Sequence, residues 1–303
     1  MTVFIYLVKR NTKLFFKDKG AFFAALIAPL ILLMLFATFL ANVYRSSFHS
    51  AIPEGMILPD QIVDGFVGGW LLSSLLAVSC ITVAFCANMI MVQDKVTGAI
   101  SDLSIAPVKK PILALSYYVS TMLITALICY TTTAAGFVYL TQIGWYLSPT
   151  DIICILLDVM LLVLFGTAFS SIICYFLKSQ GGITAVGTIV SSCYGFICGA
   201  YMPISQFSKS IQDVISILPG TYGTGLLRNH FMQGVLTEIE NNYFPKEVVE
   251  MIRNNFDNHL YFMNELVTVN QMYLILIATV GVLILLYVIM NVDKKRKIIA
   301  KRK

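Results

Sequence analysis

Six apolar stretches, each long enough to cross a bilayer, dominate what this chain can become. They run over roughly residues 21–43, 67–92, 111–140, 152–177, 181–200 and 269–291, bounded by charges, Pro or Gly. A hydrocarbon core takes about 20 apolar residues per helix, so each stretch is read as one span. A soluble fold is excluded, because 58 % of residues are hydrophobic and only 12 % charged, against ~25 % charged in globular chains. The same balance excludes disordered, collagen-like and coiled-coil chains, and a nucleic-acid reader, whose basic residues would form a patch or stripe. The expectation is an all-α, polytopic membrane protein with a single domain over residues 1–303.

Lysine and arginine set the orientation, since basic loops stay cytoplasmic. With the N-terminus inside, sixteen Lys and Arg lie on the inner side and five on the outer side. Eleven acids lie outside and four inside, with Asp158 alone within a span. Both termini are therefore expected in the cytoplasm. The first stretch is read as an uncleaved span rather than a signal peptide, because its apolar run is too long and a charged helix-like segment precedes it. All seven cysteines fall inside spans, so no external disulfide framework is available. Three histidines, His49, His230 and His259, are scattered through outer segments without ligand spacing, and no metal site is expected.

Two cytoplasmic segments carry pattern. Residues 2–18 place Phe4, Leu7, Val8, Leu14 and Phe15 near helical spacing, with Arg10, Lys13 and Lys17 on another face. That predicts an amphipathic helix in the membrane interface, with lysines at anionic lipid headgroups. Residues 93–110 place Val96, Ile100 and Leu103 at i, i+4, i+7, ended by Pro107. A short helix with one apolar face at the membrane surface fits either a docking element or a simple connector.

Within the membrane, Asp158 is a functional candidate because charge there is costly. Tyr130, Thr131, Thr132 and Thr133 sit at similar depth on the preceding antiparallel span, so their hydroxyls are expected within reach. Two roles fit: a clamp between spans three and four, or a polar spot on a substrate path. Gly187, Ser191, Gly195 and Gly199 recur every four residues in span five. Small residues so spaced allow close helix approach, either inside the subunit or at a subunit interface.

In the segment 93–110, Asp94, Gly98, Pro107 and Val108 stand at a spacing that resembles the intracellular loop of type-2 ABC exporter permeases. After span five, Pro203, Leu218-Pro219, Thr221-Tyr222, Leu227-Arg228 and Gly234 resemble the external re-entrant motif of the same family. Six spans and a leading interfacial helix extend the resemblance over essentially the whole chain. The departures are Asp94 where the family usually has Glu, Gly98-Ala99-Ile100 where Gly-Thr-Leu is common, and a longer segment 235–268. That segment is read as one or two amphipathic helices forming an external cap, with a solvated linker as the alternative.

The resemblance implies a multi-pass permease of the cell membrane, bacterial plasma membrane by expectation. It implies two copies of a cytoplasmic ATPase subunit and a second permease, self or paralogue, meeting through the first and fifth spans. Residues 93–108 would be the coupling element, with Asp94, Val96, Gly98, Ile100, Leu103 and Pro107 serving it, and Pro219, Tyr222 and Arg228 would mark the re-entrant segment within 201–268. The chain contains no P-loop pattern, so no cofactor is expected in it; ATP and Mg²⁺ would sit on the ATPase. No hydrolase motif of the common kinds is present either. The rival reading is a stand-alone secondary transporter, which should show broken spans with charged midplane residues.

Overall fold

The computed structural model describes residues 2–53, 56, 58–105, 108–197, 199 and 201–300. Almost all of these are helical. Helix α1 (Thr2–Lys17) precedes a first span built from α2 (Lys19–Leu35), a π-helical turn (Phe36–Leu40) and α3 (Ala41–Ala51). Four longer helices follow the same logic: α4 (Asp60–Val96), α6 (Lys110–Ile143), α7 (Pro149–Phe176) and α12 (Val269–Ala300), with short α5 (Ala99–Ile105) between the first two. Together with residues Lys19–Ser50, these give five helices long and apolar enough to span. The sixth expected span is α8 (Gln180–Ile197); at 18 residues it is roughly 27 Å long, and it is not among those five. Pro107, Cys198 and Ala200 lie outside the described residues.

Helix α4 is the hub. It is apolar on every side, and such a helix is buried rather than surface-lying. Phe66, Trp70, Leu71, Leu75, Ile81 and Phe85 are all essentially inaccessible. The first span, α6, α7 and α8 pack around it. We call the end carrying α1 and α5 the basic end and the opposite end distal.

The distal segment, residues 201–268, holds more than the cap read over 235–268. Helix α9 (Lys209–Ser216) leads to α10 (Pro219–Asn242), which packs against α4, α7 and α12 inside the bundle. Gly223 of α10 faces Leu162 and Leu276, which lie thirteen and seven residues from the distal starts of α7 and α12, or roughly 20 and 10 Å in at 1.5 Å per residue. The chain thus turns back within the depth of the bundle and not at its distal end. Helix α11 (Lys246–Asn255) and an antiparallel hairpin, β1 (Leu260–Phe262) with β2 (Glu265–Val267), form the cap. The hairpin is a strand element that the periodicity of 235–268 did not predict. Met263 and Asn264 close it with positive φ at both positions, as the tightest hairpin turns require.

A chain that turns inside a membrane must satisfy its freed carbonyls internally. Here the turn between α9 and α10 does so with its own motif. Thr221 Oγ1 donates to the Ile215 carbonyl at 3.0 Å, and the Tyr222 hydroxyl donates to the Ser216 carbonyl at 2.5 Å. Pro219 begins α10, where its missing N–H costs nothing. Tyr222→Phe should therefore leave the Ser216 carbonyl unpaired, lowering stability by about 1–3 kcal/mol. Thermal unfolding of the purified protein in detergent checks this; an unchanged midpoint contradicts the role given to the hydroxyl.

Candidate functional site: the basic-end junction and two buried polar clusters

The last turn of α4 fastens four elements together through two adjacent residues. Asp94 takes Arg10 of α1 as a two-pronged ion pair, with Nη1 at 2.6 Å and Nη2 at 3.0 Å, and accepts the Tyr117 hydroxyl of α6 at 2.5 Å. Bidentate pairs of this kind fix geometry as well as charge. The bond to Asp94 holds the Arg10 guanidinium above its already high pKa, against the opposing effect of burial. Lys95 points the other way. Its ammonium donates to the carbonyls of Cys174, Tyr175 and Leu177 at 2.7, 2.9 and 3.3 Å. Those carbonyls end α7, where helices leave acceptors unpaired and favour a cation.

Beyond this junction the chain turns sharply into α5. Gly98 has φ +82° with open space around its α-carbon, so glycine is required by the left-handed backbone and not by close packing. The turn corrects the expected apolar face. Val96 is the last residue of α4, not a member of α5, and is exposed. Ile100 packs inward, lining a cavity with Met91, Lys110, Leu113 and Tyr287, and Leu103 is half-buried. The apolar residue that α5 presents outward is Ile105, 84 % exposed. Asp94 is also corrected: its carboxylate is buried and held within the chain, so it is no exposed anchor for a partner. Spacing put Arg10 on the basic face of α1 with Lys13 and Lys17 but gave it no protein partner; Tyr117 and Lys95 were not singled out, and their only trace in sequence was their placement beside the membrane boundary.

Asp158 has different partners from those expected. Its carboxylate has no exposed surface, accepts the Tyr273 hydroxyl of α12 at 2.5 Å and is hydrogen-bonded to His230 Nδ1 of α10 at 2.6 Å. The hydroxyls of Thr131, Thr132 and Thr133 instead bond the carbonyls of Leu127, Ile128 and Cys129 in their own helix. Tyr130 reaches the Leu156 carbonyl at 3.1 Å. The clamp therefore ties α7 to α10 and α12, not to α6, and His230 lies in the bundle rather than in a loop.

A second buried cluster closes the distal side. Arg228 of α10, 1 % exposed, pairs with Asp257 at 3.1 Å, bonds the Gly199 carbonyl and stacks on Trp70 at 4.8 Å. Asp257 also accepts the backbone N–H groups of Ile204 and Ser205. Burial pushes the Asp257 carboxyl above the ordinary carboxylate range, and the Arg228 charge draws it part of the way back. Trp70 donates to the Phe256 carbonyl at 3.0 Å. One arginine thus locks the central helix, the end of α8, the re-entrant helix and the cap.

The small-residue ridge of α8 is used inside the chain. The ring of Tyr201 lies over Gly195, and Ile204 and Arg228 lie over Gly199. Gly187 approaches only Phe85, and the Ser191 hydroxyl bonds the Gly187 carbonyl at 2.7 Å. The exposed face of α8 is instead Thr188, Ile189, Ser192 and Phe196.

Among the described residues no group of His, Cys, Asp and Glu could hold a metal ion. The Asp158 cluster carries a graded prediction. Asp158→Leu should cost about 2–4 kcal/mol, because it strands the half-buried His230 and Tyr273 polar groups. Asp158→Asn should cost clearly less, since the amide oxygen still accepts one bond. Melting temperatures of the two variants test the order; equal losses would contradict it.

No curated protein matches the chain. Residues 2–232 match the family described as ABC-2 type transporter, a stretch running from α1 to the middle of α10 and holding the 93–110 motif and the second motif as far as Arg228. The chain belongs to that family, and is a membrane-spanning permease of an ABC transporter.

Proposed function

We propose that this permease is the translocating half of an ATP-driven exporter for an amphipathic or hydrophobic cargo: drug, peptide, lipid or lipid-linked glycan. Two permeases, identical or paralogous, work with two copies of a separate cytoplasmic ATPase, which binds ATP and Mg²⁺. The carrying observation is the junction at Asp94 and Lys95. A force applied to α5 reaches α4 through one short turn, and from there α1, α6 and α7 through bonds of 2.5–3.3 Å. A simple connector needs no such wiring.

In this reading α5 docks on the ATPase through Ile105, with the exposed Val96 at the end of α4, not through Asp94 or Ile100. Closure of the ATPase pair pushes α5, and the α4 hub carries the displacement to the spans packed around it. Asp158, His230 and Tyr273 act as a clamp among α7, α10 and α12, keeping the distal half rigid while the basic half moves. A second permease is expected against the exposed faces of α2 and α8, where Ile27, Ile31, Met34, Ile189 and Phe196 point outward. Among the described residues the charges inside the bundle, Asp158 and Arg228, are paired, which supports an apolar or amphipathic cargo over a small ion.

The test separates contact from packing. Ile105→Glu should weaken ATPase binding by tenfold or more, about 1.4 kcal/mol for each tenfold, while leaving the permease's own melting temperature unchanged. Ile100→Glu should lower that melting temperature instead, because the side chain faces the cavity inside. Co-purification and ATPase stimulation in proteoliposomes read the first effect. Full binding and stimulation by the Ile105→Glu protein would refute the docking role of α5.

A further inference from the structure

The distal side carries an apolar surface that neither the bundle nor the cap accounts for. Helix α9 exposes Ile211, Val214 and, just past its end, Ile217, at three-residue steps on one side. Its charged residues Lys209 and Asp213 pair with each other at 3.7 Å. The hairpin turns Phe262, Met263 and Leu266 outward, with Met263 72 % exposed. Between these two elements and α12 runs a groove of about 420 Å³, walled by Ile217, Tyr222, Leu266, Val267, Leu274 and Ile275. That volume is in the range of ligand clefts, roughly 300–1,000 Å³.

The occupant follows from what the groove is continuous with. Leu274 is 69 % exposed and Ile277, almost one turn on, 57 %; both lie on a spanning helix, so their exposed surface meets lipid. Leu274 is five residues past Val269, about 8 Å inside the distal end at 1.5 Å per residue. The groove therefore opens sideways into the hydrocarbon edge of the distal leaflet. Its polar residues, Glu265, Gln271 and Ser216, are few. Gln271 is engaged with Thr268, whose N–H and hydroxyl reach its side-chain oxygen at 2.8 and 3.0 Å.

We propose that α9 and the hairpin tip lie in the distal membrane boundary and that the groove between them and α12 holds an acyl chain of a bilayer phospholipid. An amphipathic helix buries its apolar side in the acyl boundary and keeps its charges at the headgroups; the Lys209–Asp213 pair and the apolar row of α9 have that arrangement. The re-entrant turn is then sealed against water by lipid rather than by protein. This assignment depends only on the chain spanning a membrane, not on what it transports.

The test is photocrosslinking in phosphatidylcholine vesicles. A benzoylphenylalanine replaces Leu266 in the groove, Ile277 on the open face of α12, or Lys246 on the cap. Expected is a phospholipid adduct at position 266, mapped to the acyl chain and several-fold above that at position 246. Leu274→Trp, at an exposed site where folding is not at stake, should fill the groove and cut the adduct at 266 several-fold, leaving the adduct at 277 unchanged. Adducts at 266 no greater than at 246, adducts to protein, or a yield at 266 unaffected by Leu274→Trp would each overturn the proposal.

Discussion

Hydrocarbon offers no hydrogen-bond partner to a bare backbone group, and the departures from plain helix around the α9–α10 turn and Arg228 sit where side chains supply one. Thr221 and Tyr222 cover the end of α9. Arg228 covers the Gly199 carbonyl, Trp70 that of Phe256, and Asp257 the N–H groups of Ile204 and Ser205. A motif that looks degenerate in sequence is, in this light, a set of terminators for one re-entrant turn. The cost is a buried charge. Removing either partner of Arg228 and Asp257 would strand the other, which is why such pairs tend to be all-or-nothing features of a fold.

The basic end solves a different problem with similar means. An interfacial helix has little to hold it in one azimuth, because lipid grips any apolar face equally well. The two-pronged Arg10–Asp94 pair gives α1 one orientation, and Tyr117 fixes the carboxylate that receives it. Lys95, one residue on, does for α7 what a C-terminal cap does for a soluble helix. Opposite charges at neighbouring positions of one helix point to different neighbours, so a single turn of α4 registers both sides of the bundle.

Much of this was legible in the sequence. The span boundaries fall within a few residues for the third, fourth and fifth spans, because hydropathy and Pro or Gly punctuation act together there. The junction was found by its spacing but given the wrong contacts: Gly98 breaks the helix on which Val96 and Ile100 were placed together, and no periodicity reveals a left-handed turn. Helix α10 was marked only by the resemblance to a re-entrant motif and not by hydropathy, which Arg228, Asn229 and His230 depress although each is paired inside. Asp158 was matched to its hairpin neighbours in α6, whereas its partners lie 72 and 115 residues away in sequence. Local reasoning reaches the adjacent helix; only tertiary structure supplies the others.

The π-helical turn Phe36–Leu40 in the first span adds a residue to one turn of that helix. Everything beyond it is rotated about the axis relative to an unbroken helix. Below the turn the span buries Ala25 and Pro29 and leaves Phe23, Ile27 and Ile31 outward; above it, Tyr44 and Phe48 swing onto α4, where Tyr44 meets Trp70 at 4.3 Å and Phe48 meets Phe66 at 4.5 Å. The helix thus works as a two-sided key whose halves are cut for different locks. Its distal half is committed to the Trp70–Arg228 cluster, while its basic half keeps a free apolar edge that can trade neighbours without disturbing the other.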